Sequence, residues 1–246
     1  MCSTERPGRL LLPALLCLML FFHALAAAQD LSGVPGYFRI PTATFNKDGT
    51  LYFGASYLPR TYLDYTKDQY DALDAYASIT FLSFVEVDIR VTRILGLPKS
   101  SNHVSDRVPT IRFRILKEKK WIPGVTIGLH DVVTSLESGV ARHFGASYLV
   151  VTKNFHIEKA FLNIEATLGY GSNWLIWYNN EFIGPFGGIS LSCDKFKWMS
   201  LMFDYDGRIP STGIRVLCFN HLSLMAGFLN FSSFTGNISY RFFLKK

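Results

Sequence analysis

Residues 108–131 constrain the chain most. They read Val108-Pro-Thr-Ile-Arg-Phe-Arg-Ile-Leu, then Lys117-Glu-Lys-Lys-Trp, then Ile122-Pro-Gly-Val-Thr-Ile-Gly-Leu-His-Asp. Ile111, Phe113 and Ile115 alternate with Thr110, Arg112 and Arg114, and Val125, Ile127 and Leu129 alternate with Thr126, Gly128 and His130. A period of two puts each set on one face of a strand, and the short charged segment between them makes a β-hairpin. One face is apolar and the other carries guanidinium groups. Such a hairpin suits a soluble sheet with its polar face in water. It equally suits a transmembrane barrel with its apolar face to lipid and its polar face to the lumen.

Period-two runs recur to the end of the chain. They cover residues 50–58, 73–82, 84–95, 108–116, 122–130, 144–153, 161–170, 183–193, 197–205, 212–219, 222–229 and 234–244. Most are near the ten residues that a tilted strand needs to cross a bilayer. The connections at 59–72, 96–107, 131–143 and 171–182 are long. Those around Ser83 and at 117–121, 154–160, 194–196 and 220–221 are short. Long and short alternate until the last two hairpins, as in outer-membrane barrels with long external loops and short periplasmic turns. The expected fold is all-β, a transmembrane antiparallel up-and-down β-barrel of about 12 strands. A secreted soluble sandwich is the competing reading.

The N-terminus reads as a secretory signal peptide. Arg6 and Arg9 precede an apolar run over 10–25, broken only by Pro13 and His23, and Ala26-Ala27-Ala28 forms an A-x-A site before Gln29. An uncleaved membrane anchor is the alternative. The expected organisation is a signal peptide at 1–28, an extended lead-in at 29–49 and a barrel at 50–246. The lead-in is rich in Gly, Pro and Thr, and a place at the barrel mouth suits it. Cleavage removes Arg6, Arg9 and Glu5 and lowers the formal charge from +6 to +5. So modest and dispersed a charge does not imply nucleic acid as a partner. The outer-membrane lipid is the partner a barrel requires. With 12 Tyr and 21 Phe, the composition suits β-structure and excludes disorder. Trp121, Trp174, Trp177 and Trp198 lie near strand ends, where aromatic girdles form.

The polar faces nominate a lumenal set: Glu86, Asp88, Arg90, Arg112, Arg114, Glu165, Asp204, Asp206, Arg215 and Arg241. Two readings stand. The charges pair across strands and fill a narrow lumen, with Arg215 meeting Asp204 or Asp206, or they line a track for a sugar or acidic polymer. His130, Asp131 and Ser135 raise a hydrolase reading, but a strand end and a loop do not fix a nucleophile against a base. No catalytic residue, metal site or cofactor is expected, since no zinc spacing and no glycine-rich phosphate loop is present. Cys193 and Cys218 share apolar faces with Ile189 and Leu191 and with Ile214 and Val216. One strand separates them, so no disulfide is expected.

Four segments resemble the YjbH-like family of outer-membrane β-barrels associated with exopolysaccharide and capsule export. They are Ser32-Gly-Val-Pro-Gly with Ile40-Pro-Thr-Ala and Asp48-Gly-Thr-Leu-Tyr-Phe-Gly; the hairpin from Asp106-Arg107 to His130-Asp131; Phe144-Gly-Ala-Ser-Tyr with Leu168-Gly-Tyr-Gly171; and Phe186-Gly-Gly-Ile189 with Asp204-Tyr-Asp-Gly207. The family often carries Glu where this chain has Asp204, and this chain is a short form. The resemblance implies a Gram-negative outer-membrane location and a non-enzymatic role in surface-polysaccharide export or assembly. Polysaccharide and export-system proteins are then its partners. A general small-solute porin and a barrel enzyme are the alternative functions.

Overall fold

A computed structural model describes residues 28–62, 70–96, 105–132, 144–172 and 181–244. Twelve antiparallel strands run in chain order: β1 (Thr50–Leu58), β2 (Ala72–Phe81), β3 (Val85–Ile94), β4 (Ser105–Leu116), β5 (Gly124–His130) and β6 (Ala146–Ile157), then β7 (Leu162–Gly171), β8 (Gly184–Cys193), β9 (Met199–Tyr205), β10 (Pro210–Cys218), β11 (Leu222–Leu229) and β12 (Ser233–Phe243). Each pairs with its sequence neighbours. The sheet closes where Thr50 of β1 meets Phe243 of β12. Closure leaves no edge strand with unpaired backbone groups. The expected all-β, 12-strand closed barrel is the observed fold.

The alternation read from the sequence appears directly as burial. Along β3, Glu86, Asp88, Arg90 and Thr92 are buried while Val87, Ile89 and Val91 are exposed. Phe53, Phe113, Leu149, Leu168, Ile189, Leu201, Phe203, Ile214, Leu224, Phe228 and Ile238 continue the exposed apolar surface around the wall. An apolar band of that extent marks a surface made for a non-aqueous or protein neighbour. The hydrophobic core therefore lies in the lumen. Leu31, Tyr37, Phe38 and Ile40 from the lead-in pack there with Leu58, Val108, Tyr148, Phe186, Met202, Met225 and Leu229.

Strand limits lie within two residues of the expected ones except in β4 and β6. β4 starts at Ser105 rather than 108, because Asp106 and Arg107 pair with Thr92 and Val91 of β3. β6 runs on to Ile157, because Asn154, Phe155, His156 and Ile157 find partners from Glu165 back to Leu162 on β7. The register also shifts between Arg114 and Leu116, a bulge at Ile115. Bulges of this kind sharpen local twist, which helps a sheet to curl.

The barrel has a turn end, where β2–β3, β4–β5, β6–β7, β8–β9 and β10–β11 connect, and a loop end, where the long connections lie. At the turn end, Leu82 and Ser83 both have positive φ, 52° and 56°. Two successive left-handed residues form the type I′ turn, whose hand matches the twist of paired strands and favours Asn-Gly. Ser83→Gly is therefore expected to stabilise the barrel by about 1 kcal/mol, the usual cost of a left-handed non-glycine residue. Equilibrium urea unfolding in detergent measures it.

Cys193 and Cys218 are free and half-buried. β9 lies between their strands, so two inter-strand steps of about 4.8 Å separate them. A disulfide tolerates about 7 Å between Cα atoms. Non-reducing peptide mapping of the purified protein should yield both thiols free.

Candidate functional site

The lead-in does not stop at the mouth of the barrel. It threads the lumen, and Gln29 through Thr42 are buried almost without exception. Gly33 has φ 95° and sits against the Tyr76 ring and the Asp88 carboxylate. A side chain at Gly33 would meet both strain and atoms. The segment folds back on itself through short antiparallel bridges, Gln29 with Pro35 and Gly36 with Pro41. Asp30 ties this turn together by accepting from the Ser32 N–H at 2.7 Å and its hydroxyl at 2.6 Å.

The inward side chains of the wall hold the segment through its backbone. Asp204 of β9 accepts from the N–H groups of Phe38 at 2.9 Å and Arg39 at 2.8 Å. Charge-assisted bonds of this sort contribute about 1.5–3 kcal/mol each. Arg215 of β10 answers them with the opposite polarity. Its Nη2 donates to the carbonyls of Gly36 at 2.8 Å and Tyr37 at 2.7 Å. Arg112 of β4 donates to the Thr42 carbonyl. Thr152 accepts from the Ala43 N–H at 2.7 Å, and Thr126 donates to the Ala43 carbonyl at 3.3 Å. Asn237 and Ser56 reach the carbonyls of Asp30 and Leu31. The segment pairs part of its own backbone, the Leu31 N–H with the Phe38 carbonyl and the Tyr37 N–H with the Ile40 carbonyl among others, and buried wall groups take up further N–H and C=O groups that its irregular path leaves over.

Two glycines make room for one ring. A Cβ at Gly213 or Gly227 would run into Phe38, which is fully buried. Gly213→Val is expected to push Phe38 off the wall and loosen the segment. Limited proteolysis of the folded barrel, followed by N-terminal sequencing, should then find cleavage between residues 30 and 45 that the parent protein resists.

Charge pairing does occur, in places. Glu86 and Arg112, cross-strand partners on β3 and β4, lie 3.0 Å apart. Arg39 of the lead-in meets Asp206 at 2.8 Å and lies over the Tyr62 ring at 4.2 Å. Asp206 also caps its own turn, accepting from the N–H groups of Arg208 and Ile209. The expected pairing of Arg215 with Asp204 or Asp206 is not formed. Both signs of charge go to the lead-in backbone instead, Asp204 to the N–H groups of Phe38 and Arg39 and Arg215 to the carbonyls of Gly36 and Tyr37. Arg114 lies over the Phe45 ring at 4.7 Å, and Glu165 accepts from the Thr44 hydroxyl at 3.3 Å. Asp88 packs beside Gly33. Arg241 closes the turn end, donating to the Asn220 carbonyl from Nε at 3.0 Å. All ten residues of the nominated set thus occupy inward positions, buried or half-buried.

At the loop end a second knot forms around Glu181. Its carboxylate meets Arg90 at 3.4 Å and His130 Nδ1 at 3.1 Å, and accepts from the Tyr62 hydroxyl at 3.1 Å. Burial alone would raise this carboxyl, but Arg90 and the His130 bond more than offset it and hold it at about 2. Asp74 joins from β2, 3.7 Å from Arg90. At the turn end burial opposes ionisation of Glu118 as well, yet bonds from the Asn154 N–H, its side-chain amide and Lys153 keep that carboxyl below its usual range.

His130 is therefore held between Glu181 and the Tyr148 hydroxyl, 3.3 Å from Nε2. Ser135 lies outside the described residues, as do Trp174 and Trp177. Trp121 is exposed on the β4–β5 turn, and Trp198 is half-buried near the turn end. Among the described residues no group of three or more His, Cys, Asp or Glu is placed to hold a metal ion.

Sequence reasoning missed Arg39, Asp74 and Glu181, and put Asn237 on a polar face without a role. Asp74 was readable, since it stands alone between apolar neighbours on a period-two run. Glu181 and Arg39 lie in aperiodic segments where nothing marks them. A search of curated proteins finds no match. The family described as "Exopolysaccharide biosynthesis protein YbjH" matches residues 28–200, which takes in the lead-in and the wall through β8. With the match spanning well over half of its length, the chain belongs to the YjbH family of exopolysaccharide biosynthesis proteins.

Proposed function

We propose that the protein is an outer-membrane β-barrel that assists export or assembly of an exopolysaccharide without catalysing a reaction. It is delivered through a signal peptide cleaved after Ala28. The exposed apolar band meets lipid, and the turn end faces the periplasm. Its partners are the polysaccharide and the proteins of the export system. One observation carries this reading beyond the family's description: the lumen of the closed barrel is occupied by residues of its own lead-in, bonded to the wall along their backbone. A lumen so filled disfavours a general porin, which needs a standing aqueous path. The engagement of both His130 ring nitrogens, with Glu181 and with the Tyr148 hydroxyl, disfavours a hydrolase, since among the described residues no serine or cysteine is bonded to the imidazole.

Deleting the gene in the producing bacterium should sharply reduce polysaccharide in the medium and at the cell surface, with lipid-linked precursor retained inside. Complementation with the His130→Ala barrel should restore secretion. Unchanged secretion in the deletion strain would contradict the role. Failure of His130→Ala to complement, with normal barrel levels in the membrane, would reopen the enzyme reading.

A further inference from the structure

The lead-in leaves one part of the lumen unfilled. A cavity of about 410 Å³ opens at the turn end between the lead-in and the inward faces of β6 to β10. Its origin is in the side chains. The inward positions of β3 and β4 towards the turn end carry Glu86 and Arg112, which are fully buried. The corresponding positions of β8 and β9 near the turn end carry only Ser190, Ser192 and Ser200. Long charged side chains on one wall face three hydroxymethyl groups on the other, and the difference is empty space.

We propose that this cavity is a binding site for a neutral saccharide unit, one or two hexose residues in length. The inference rests on the function proposed above, which places the turn end on the side where the polymer arrives. Its volume falls in the range of small-molecule sites, about 300–1,000 Å³. Its chemistry matches a sugar better than the alternatives. Trp198 supplies a half-buried aromatic wall with Phe155 at the rim, and aromatic rings pair with the C–H face of a pyranose as they do with other apolar edges. Around it stand neutral donors and acceptors: Asn163 and the three serines. Asn163 is held in place, its oxygen 2.8 Å from His156 Nδ1 and its amide donating to Asp194 at 2.9 Å. Pre-set amides and hydroxyls recognise hydroxyl groups with little ordering cost.

A lipid tail does not fit a wall of Ser and Asn. An anionic ligand does not fit either. The Arg215 guanidinium is already turned to the lead-in carbonyls, Lys197 lies 3.9 Å from Asp194, and the Glu165 carboxylate faces the cavity. Glu165 instead offers an acceptor for sugar hydroxyls, with the Thr44 hydroxyl on one side of it.

The mature barrel, purified in detergent and shown folded by its heat-dependent gel mobility, is titrated with cellobiose and maltose. Glucuronic acid and inorganic phosphate serve as anionic probes. Saturation-transfer NMR and tryptophan fluorescence read the binding. The expected result is saturable binding of a neutral disaccharide. Trp198→Ala should weaken it about tenfold, the size expected of a lost aromatic contact. Trp198→Phe should recover part of it, and Trp121→Ala, on the β4–β5 turn away from the cavity, should leave it unchanged. No saturable binding of either disaccharide by the folded barrel would overturn the site. So would equal affinity in Trp198→Ala, or tighter binding of glucuronic acid than of the neutral sugars. These outcomes are separate from the secretion test. A deletion strain that loses exported polymer alongside a barrel that binds no sugar rejects the site alone.

Discussion

Removing residues 29–45 is expected to convert a silent barrel into a conducting one. In planar lipid bilayers the mature protein should give no resolved current steps, while the shortened protein should insert with stepwise, long-lived conductance. The lead-in fills the lumen from Gln29 to Thr42, and no inward side chain of β8 or β9 near the turn end is long enough to replace it. Asp204→Ala offers a milder form of the same change. It leaves the N–H groups of Phe38 and Arg39 buried without their acceptor, at about 1–3 kcal/mol each. Brief openings should then appear in a protein that otherwise stays closed. Silence from both variants, with folding intact, would mean that the wall side chains close the lumen by themselves.

Arg112→Met should be the most damaging single change in the wall. Arg112 is fully buried, paired with Glu86 at 3.0 Å and bonded to the Thr42 carbonyl. Breaking one partner of a buried pair typically costs about 3–5 kcal/mol, because the other charge remains. Replacing both, with Glu86→Leu and Arg112→Met together, should recover most of that loss. Urea unfolding in detergent measures all three variants. If the single change costs less than about 1 kcal/mol, the pair is hydrated like a surface ion pair, and the lumen is wetter than its packing indicates.

The wall was legible from the sequence and the lumen was not. Along β3, β7 and β12, polar inward positions alternate with apolar outward ones, so period two survives and marks every strand within a few residues. β6 was read short because Asn154 and His156 are polar and look like a turn, although they pair normally with β7. The charged set fell on inward positions by the same alternation. What those charges do could not be read the same way. Asp204 binds backbone amides 164–166 residues away, and a main-chain donor leaves no mark in a residue pattern. Arg215 and Asp204 look like complementary partners on neighbouring strands, yet each serves the lead-in. The one legible hint was indirect. Glycines at 213 and 227, on adjacent inward positions of β10 and β11, leave a space that some other part of the chain must fill, and Phe38 fills it.

Residence of the lead-in inside a membrane-embedded barrel is tested most directly by cross-linking in the native membrane. Ala43 and Thr152 are joined by a 2.7 Å bond from backbone to side chain, close enough for a disulfide to bridge them. Cysteines placed at 43 and 152, in a protein whose Cys193 and Cys218 are replaced by Ser, are oxidised in isolated outer membranes. The account predicts an intramolecular cross-link between the peptides carrying residues 43 and 152, in the membrane fraction, with heat-dependent gel mobility preserved. Its absence there, with both thiols free to label from the aqueous phase, would place the lead-in outside the barrel and contradict the closed lumen.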